Sequence, residues 1–378
     1  MKGVRPHSRR LTLSDVAKAS GFSSSTVSIV LNEAPLSRYV AAQTKQKIRE
    51  TAERLDYRPD VFARSLRSRR SHTVGVLVVD LADPFCTLIL QGIERKLMQT
   101  PYLPIIMDAH NQPNQVERYV KMMLERRVEG LITVANWLLF KMEILEQVSA
   151  HSLPNFVVGR GLQSSRIHSV SADNETGGYA AMRHLYELGH RQIAFIRGPR
   201  RLADTRFRWK GVRRFAREHH LRLHPKLTQS LPETSDFMSS FECSRRLTIG
   251  LLESGECFTA LLAFDDISAY GAIRALTEAG RQVPGHCSVI GFDDIPAAAL
   301  SSPGLTTVRQ PMLEMGEYAA EYILRSLEVR SHELRSQGPG SQAKEAFRGQ
   351  NHLLAAELVI RGSTAPPRQQ GQSLSGAL

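Results

Sequence analysis

Between residues 73 and 363, short runs rich in Val, Ile and Leu alternate with stretches of helical periodicity, and this alternation limits the fold more than any other feature. Strands are expected at 74–79, 103–107, 130–134, 156–158, 192–196, 260–264 and 288–291, and helices at 85–99, 114–127, 176–188, 207–219 and 268–279. Continuous apolar strands belong to parallel sheets whose two faces are covered by the intervening helices. At about 100–200 residues per domain the segment exceeds one such unit, so two doubly wound lobes are expected. Ligands of open parallel sheets bind beyond the carboxyl ends of the strands. Two lobes with those ends facing each other enclose a cleft, and its closure is a hinge motion.

Charge separates the rest of the chain from this core. Residues 1–70 carry 15 Lys+Arg against 6 Asp+Glu, and the remainder 34 against 31. Such asymmetry is the electrostatic footprint of a nucleic-acid-binding module, although a solubilising basic tail gives the same count. Cys86, Cys243, Cys257 and Cys287 are scattered without a CxxC pair, which suggests neither a zinc site nor a disulfide framework. Nothing calls for a cofactor or a metal. His219, His220 and His224 end an Arg-rich helical stretch with no carboxylate or thiol cluster nearby and read as a solvated helix end. No apolar run approaches the roughly 18 residues of a membrane span, and no apolar stretch follows the basic start, so a cytoplasmic location is expected.

The basic segment has its own pattern. Thr12 and Asp15 fit a capping box at a helix start, Val16 and Ala17 an apolar face, and Gly21 a left-handed stop. Ser23 caps a second helix over 24–31 whose buried face is Val27, Val30 and Leu31. A third, about 44–55, carries Ile48, Ala52 and Leu55 at helical spacing. Two short helices joined by a tight turn form a helix-turn-helix. The outward positions of the second are Ser24, Ser25, Thr26, Ser28 and Ile29. Short hydroxylated side chains let a helix lie close to phosphates and base edges, whereas an ordinary solvated face favours Lys, Glu and Gln. Ile29 suits either a thymine methyl or the small core.

The segment D-V-A-K-A-S-G-F-S-S-S-T-V-S-I-V-L-N within 12–32 resembles the headpiece of the lactose-repressor/galactose-repressor family of transcription regulators, and R-L-D-Y-R-P-D-V-F-A-R-S-L (54–66) resembles that family's hinge. Core segments such as D-L-A-D-P-F (80–85), F-D-D-I-S-A-Y-G-A (264–272), V-I-G-F-D-D (289–294) and L-T-T-V-R-Q-P (305–311) continue the likeness in order. The resemblance implies an all-α headpiece at 10–57, a hinge helix and linker at 58–72, and a periplasmic-binding-protein-like core of two parallel-sheet lobes at 73–363. Residues 364–378 are expected to form a disordered tail. It further implies a homodimer or tetramer that binds double-stranded operator DNA under the control of a small-molecule effector, a sugar or nucleobase-like compound.

Site residues follow from the same resemblance. The DNA contacts are Thr12, Ser24, Ser25, Thr26, Ser28, Ile29 and Asn32, with Ala63, Arg64 and Leu66 in the hinge. There, paired short helices enter the minor groove and the leucine wedges between base pairs. A linker whose leucine packs on its own core is the plainer reading. The effector contacts are Phe85, Arg160, Arg208, Asp265 and Asp293, while Asp266 reads as a helix cap. The chain departs from the family pattern at Ile29, at Gly159, at Ala41 and in a longer 33–39 loop. Two rivals are disfavoured. A transport solute-binding protein needs an export signal and no headpiece. An enzyme needs motifs that are missing here: G-x-x-x-x-G-K-[ST], G-x-S-x-G and HExxH.

Overall fold

The computed structural model describes residues 11–58, 70–135, 153–159, 167–233, 236–336 and 349–368, together with Leu145 and Val148. The chain divides into two compact units, residues 1–71 and 72–378. No helix among the described residues is long and apolar enough to cross a membrane.

The first unit is three helices, α1 (Leu13–Ser20), α2 (Ser24–Leu31) and α3 (Ala42–Arg54). They enclose Val16, Ala17, Val27, Val30, Ile48 and Ala52. Thr12 donates its backbone N–H (2.8 Å) and its hydroxyl (2.7 Å) to Asp15, and Gly21 ends α1 with φ +79°. Ser23 Oγ accepts the Thr26 N–H at 3.1 Å and so starts α2. Between α2 and α3 the longer loop becomes a 3₁₀ turn, Pro35–Tyr39. Helix α3 begins two residues before the expected position, with Ala41 at its N-cap and no side-chain cap.

In the second unit two six-stranded sheets form the lobes. In lobe one the strands are β1 (Thr73–Val78), β2 (Leu103–Asp108), β3 (Gly130–Val134), β4 (Asn155–Val158) and β5 (His168–Ala172), covered by α4 (Pro84–Leu97) and α5 (Pro113–Glu125). Lobe two contains α6 (Asn174–Glu187), β6 (Ile193–Arg197), α7 (Ala203–Glu218), β7 (Thr228–Ser230), α8 (Phe237–Glu253), β8 (Ala260–Leu262), α9 (Asp266–Glu278), β9 (Ser288–Asp293), α10 (Pro296–Leu300) and β10 (Thr306–Arg309). The chain then returns to lobe one with α11 (Met312–Ser336) and β11 (Asn351–Leu354), and crosses once more to add β12 (Glu357–Val359) to lobe two. Strand order is 11-5-4-3-1-2 in one sheet and 12-10-9-8-6-7 in the other. All pairings are parallel except β10 with β12. The chain thus passes between the lobes three times, at Asp173, at Gln310–Pro311 and after Leu354.

Helix α11 runs on to Ser336. One expectation about the C-terminal region changes. Order extends beyond residue 363: the Ala365 carbonyl accepts from Ser288 Oγ at 2.9 Å and bonds the buried His190 ring at 2.9 Å, so residues 364–368 belong to lobe two. The physical reason is that His190 and Ser288 are buried polar groups that need partners, and the segment supplies them.

Candidate functional site

Helix α2 presents Ser24 and Ser25 to solvent, with Thr26, Ser28 and Ile29 half-buried beside them. Four of the expected contact residues, Thr12, Thr26, Ser28 and Asn32, already have structural work, and the Thr26 hydroxyl shares a 2.8 Å hydrogen bond with that of Ser23. Thr12 is bonded to Asp15, and the Asn32 amide donates to the Ser28 carbonyl (2.8 Å) and hydroxyl (3.2 Å), which closes the C-terminus of α2. Ala63, Arg64 and Leu66 of the hinge, and Arg160 of the core, lie outside the described residues.

In the second unit Arg208 and Asp293 come together near the carboxyl ends of the lobe-two strands. Arg208 projects from the inner face of α7 and is 8% exposed. Its Nε donates to Asn174 Oδ1 at 2.8 Å, its Nη1 donates to the Phe264 carbonyl, and Nη2 lies 3.6 Å from Asp293 Oδ1. The guanidinium sits over the Phe292 ring at 3.7 Å and the Phe264 ring at 4.6 Å. A cation between two aromatic faces is attracted by both quadrupoles, most strongly where water is excluded. Asp293 also accepts from Gln310 Nε2. Burial pushes its carboxyl well above the ordinary range, and Arg208 opposes the shift. The carboxylate of Asp83, in lobe one, adds to that upward push.

The backbone at this strand end is unusual. Asp293 has φ +121° and Asp294 φ +61°. Non-glycine residues hold such conformations only where surrounding bonds enforce them. Asp294 is gripped by Arg309 Nε at 2.7 Å and Arg361 Nη2 at 2.6 Å. Asn174, which also donates to the Ala172 carbonyl at 3.2 Å, follows the first interlobe crossing, and Gln310 lies in the second. The Arg208–Asp293 pair is therefore tied to two of the chain's three passages between lobes.

The other expected residues are placed differently. Phe85 is 1% exposed and belongs to the lobe-one core. Asp83 caps α4 by accepting the Phe85 N–H at 2.9 Å, which fixes Phe85 in the first helical turn with its ring directed inward. A Cβ at Gly159 would fall 2.9 Å from the Phe85 ring, so the glycine there is matched to this packing. The cap of α9 is Asp265, not Asp266: Asp265 Oδ1 accepts the Ser268 N–H at 2.7 Å and Ser268 Oγ accepts the Asp265 N–H at 2.9 Å. Its carboxylate is committed to the helix end, because the helix starts at Asp266, two residues before the expected 268. Asp266 instead receives the Thr307 hydroxyl and, at 2.9 Å, the Ile295 N–H.

Burial raises the Asp266 carboxyl to about 8, far above the ordinary carboxylate range. The folded protein therefore prefers the proton. This contribution to stability is complete below the unfolded pKa and is lost as pH rises toward 8. Asp266→Asn keeps an acceptor for Ile295 and offers Thr307 an amide. Its melting temperature, followed from pH 5 to 9, is expected to fall less than that of the parent. Parallel curves would contradict the assignment.

Asn174, Gln310 and Phe292 were not singled out from sequence. Asn174 follows a strand with polar alternation, His168–Ala172, which the apolar pattern does not reveal. Arg197 and Thr205 were likewise overlooked. They line a small cavity of about 30 Å³ with Trp209 and Phe264, and Arg197 lies over the Trp209 ring at 4.6 Å. Arg197 Nε and Thr205 Oγ1 have no partner among the described residues, and the space admits about one water.

Residues 12–60 match the bacterial regulatory proteins of the lacI family, and residues 182–364 match the periplasmic binding protein-like domain. The chain is 32% identical over 327 residues to the HTH-type transcriptional repressor PurR of Aliivibrio salmonicida, which spans 86% of this chain and 94% of the relative. Similarity to the PurR repressor of Haemophilus influenzae is 31% over 317 residues, 84% of this chain and 91% of the relative. Among solved structures, the lac repressor dimer bound to operator and the anti-inducer ONPF superposes with TM-score 0.79 at 27% identity, covering 94% of this chain and all of that one. A LacI family transcriptional regulator from Enterococcus faecium with bound ribose gives TM-score 0.63 at 26% identity, over 78% of this chain and all of the other. With a helix-turn-helix unit followed by two parallel-sheet lobes, and with this extent of identity, the chain belongs to the lacI family of bacterial regulatory proteins: it is a DNA-binding transcription regulator, not an enzyme.

Proposed function

We propose that the protein is a cytoplasmic, dimeric repressor that reads its operator with the hydroxyl face of α2 and releases or tightens it when a polar small molecule engages Arg208 and Asp293. The observation that carries the first half is the pair Ser24 and Ser25, exposed and with hydroxyls that make no hydrogen bond among the described residues, on a helix anchored by Val27 and Val30. These two serines, with Thr26, Ser28 and Ile29, are the base-reading set. Thr12 and Asn32 act chiefly by fixing the helix ends. Ala63, Arg64 and Leu66 are assigned to the minor groove, where a leucine wedge kinks the duplex.

The second half rests on the links from Arg208 to Asn174 and from Asp293 to Gln310. A sugar hydroxyl pair or a heterocycle edge that bonds both charged groups competes with those links. It thereby biases the lobes at their crossings, and coupling of this kind is typically about 1–3 kcal/mol. Arg160 is proposed as a contact from lobe one, Asp265 as a positioning residue for the α9 end, and Phe85 as a core residue that supports the strand ends of lobe one from within.

The test starts from a pool of random duplexes equilibrated with the full chain at moderate salt, followed by sequencing of the retained fragments. A pseudo-palindromic sequence should emerge. Ser24→Ala/Ser25→Ala should weaken binding to it by about 10- to 100-fold while leaving affinity for random duplex unchanged, as base contacts of about 1–3 kcal/mol require. No enriched sequence, or an unchanged ratio in the variant, would defeat the assignment of α2.

A further inference from the structure

Outside the cleft, a concave groove of about 540 Å³ lies between α7 and the chain that doubles back after it. Its rim is Lys210, Arg213, Arg214 and Arg217, its floor Ala216, Leu221 and Leu223, and Glu175 is the sole carboxylate of its lining. Residues 200–226 hold ten Lys+Arg against Asp204 and Glu218, whereas the rest of residues 71–378 carries 24 against 29. The core is thus acidic except for this one segment.

The helix pattern explains how the charge is gathered. Asp204, Thr205, Arg208, Gly211, Val212, Phe215 and Ala216 are buried. That leaves Arg206, Lys210, Arg213 and Arg217 exposed at spacings of four, three and four, which is one helical face. Like charges at such spacing disfavour the helix by a few tenths of a kcal/mol per pair. The neighbouring acids offset only part of this. Glu175 takes Lys210 at 2.7 Å and Arg214 at 3.0 Å, and Glu218 is shared between Arg214 at 3.9 Å and the Tyr179 hydroxyl at 2.8 Å. Arg213 and Arg217 face no carboxylate partner among the described residues.

We propose that this groove is a second ligand site, for a small phosphorylated metabolite. Its phosphate is held by Arg213 and Arg217 and its carbon skeleton lies against Leu221 and Leu223. Three features support this occupant. Guanidinium groups bind phosphate oxygens through paired, charge-assisted hydrogen bonds. The volume falls within the range of small-molecule sites, about 300–1,000 Å³. The cations of the rim span about 10 Å along the helix axis, a small-molecule length. The site is distinct from the cleft, since Arg208 leaves the opposite face of the same helix.

Inorganic pyrophosphate is the probe, titrated calorimetrically into the full chain at about physiological salt, where non-specific surface attraction is screened. Saturable binding of one pyrophosphate per chain in the groove is expected. Arg213→Ala/Arg217→Ala should weaken it at least tenfold with an unchanged melting temperature, both side chains being exposed. Arg246→Ala, on the outer face of α8, should have no effect. Absence of binding overturns the proposal, as does binding that survives the double substitution, which would place it on the basic first unit. A double variant that keeps pyrophosphate affinity but loses affinity for duplex DNA, or for an acidic polypeptide such as polyglutamate, assigns the groove to a macromolecule and equally overturns it.

Discussion

Arg208→Met is expected to raise the effector concentration for half-maximal response by 100-fold or more. The guanidinium makes two hydrogen bonds and faces Asp293, all inside lobe two. Methionine keeps the contact with the Phe264 and Phe292 rings but removes every donor. Two buried charge-assisted contacts to a ligand, at about 1.5–3 kcal/mol each, amount to a loss of this size. Removal of one partner of a buried ion pair ordinarily costs about 3–5 kcal/mol of stability, because the other charge is stranded. Here the cost should be smaller, since burial already raises the Asp293 carboxyl and the group can take a proton while Gln310 continues to donate to it. The measurement uses whichever sugar or nucleobase raises the parent's melting temperature, followed by operator binding with and without that ligand. A variant that responds like the parent would remove Arg208 from the ligand site.

Gly211→Ala and Gly250→Ala should move stability in opposite directions. Both glycines lie inside helices, where alanine is ordinarily better by about 0.5–1 kcal/mol. Gly250, in α8, has nothing within 4 Å of its added Cβ, so the ordinary gain should appear as a higher urea midpoint. At Gly211, in α7, the added Cβ would lie 2.0 Å from the Glu175 carbonyl oxygen and 2.7 Å from the Tyr179 nitrogen. Those atoms are backbone of α6 and cannot rotate away. A Cβ at Gly178, on the other helix, would meet the Arg208 carbonyl at 2.2 Å, so α6 and α7 touch through two glycines. Parting them should cost about 3 kcal/mol, the upper part of the range for overpacking. It should also blunt the ligand response, because Asn174 and Arg208 ride on these two helices. A midpoint for Gly211→Ala at or above the parent's would show that the helices part freely.

Local features of the chain were readable where the deciding interaction spans few residues. The Thr12–Asp15 box, the Ser23 cap and the Gly21 stop all lie within one helical turn, so spacing alone locates α1 and α2. The central strands β1, β3 and β9 are buried on both faces and announce themselves as apolar runs. Edge and crossing elements do not. The His168–Ala172 strand alternates polar and apolar residues, and Asn351–Leu354 and Glu357–Val359 are short pieces whose strand character comes from the neighbour they pair with. Helix α8 turns Ser240, Ser244 and Thr248 inward, so its buried face does not read as an apolar stripe, and charged residues interrupt the pattern of α11.

Residue chemistry and local period therefore determined the three-helix unit, the two-lobe α/β class and the excess positive charge near the amino terminus, while Arg208 and Asp293 were nominated by the resemblance to a family of regulators. Tertiary structure alone decided that Arg208 meets Asn174 and Asp293 meets Gln310, that Phe85 turns inward over Gly159, that Asp265 rather than Asp266 ends a helix, and that residues 364–368 are held by His190 and Ser288. The reason is one of range. Caps and amphipathic faces are settled by energies within a turn or two. A buried charge takes its partner from whichever distant segment the packed lobes bring within hydrogen-bond distance, and no pattern along the chain encodes that meeting.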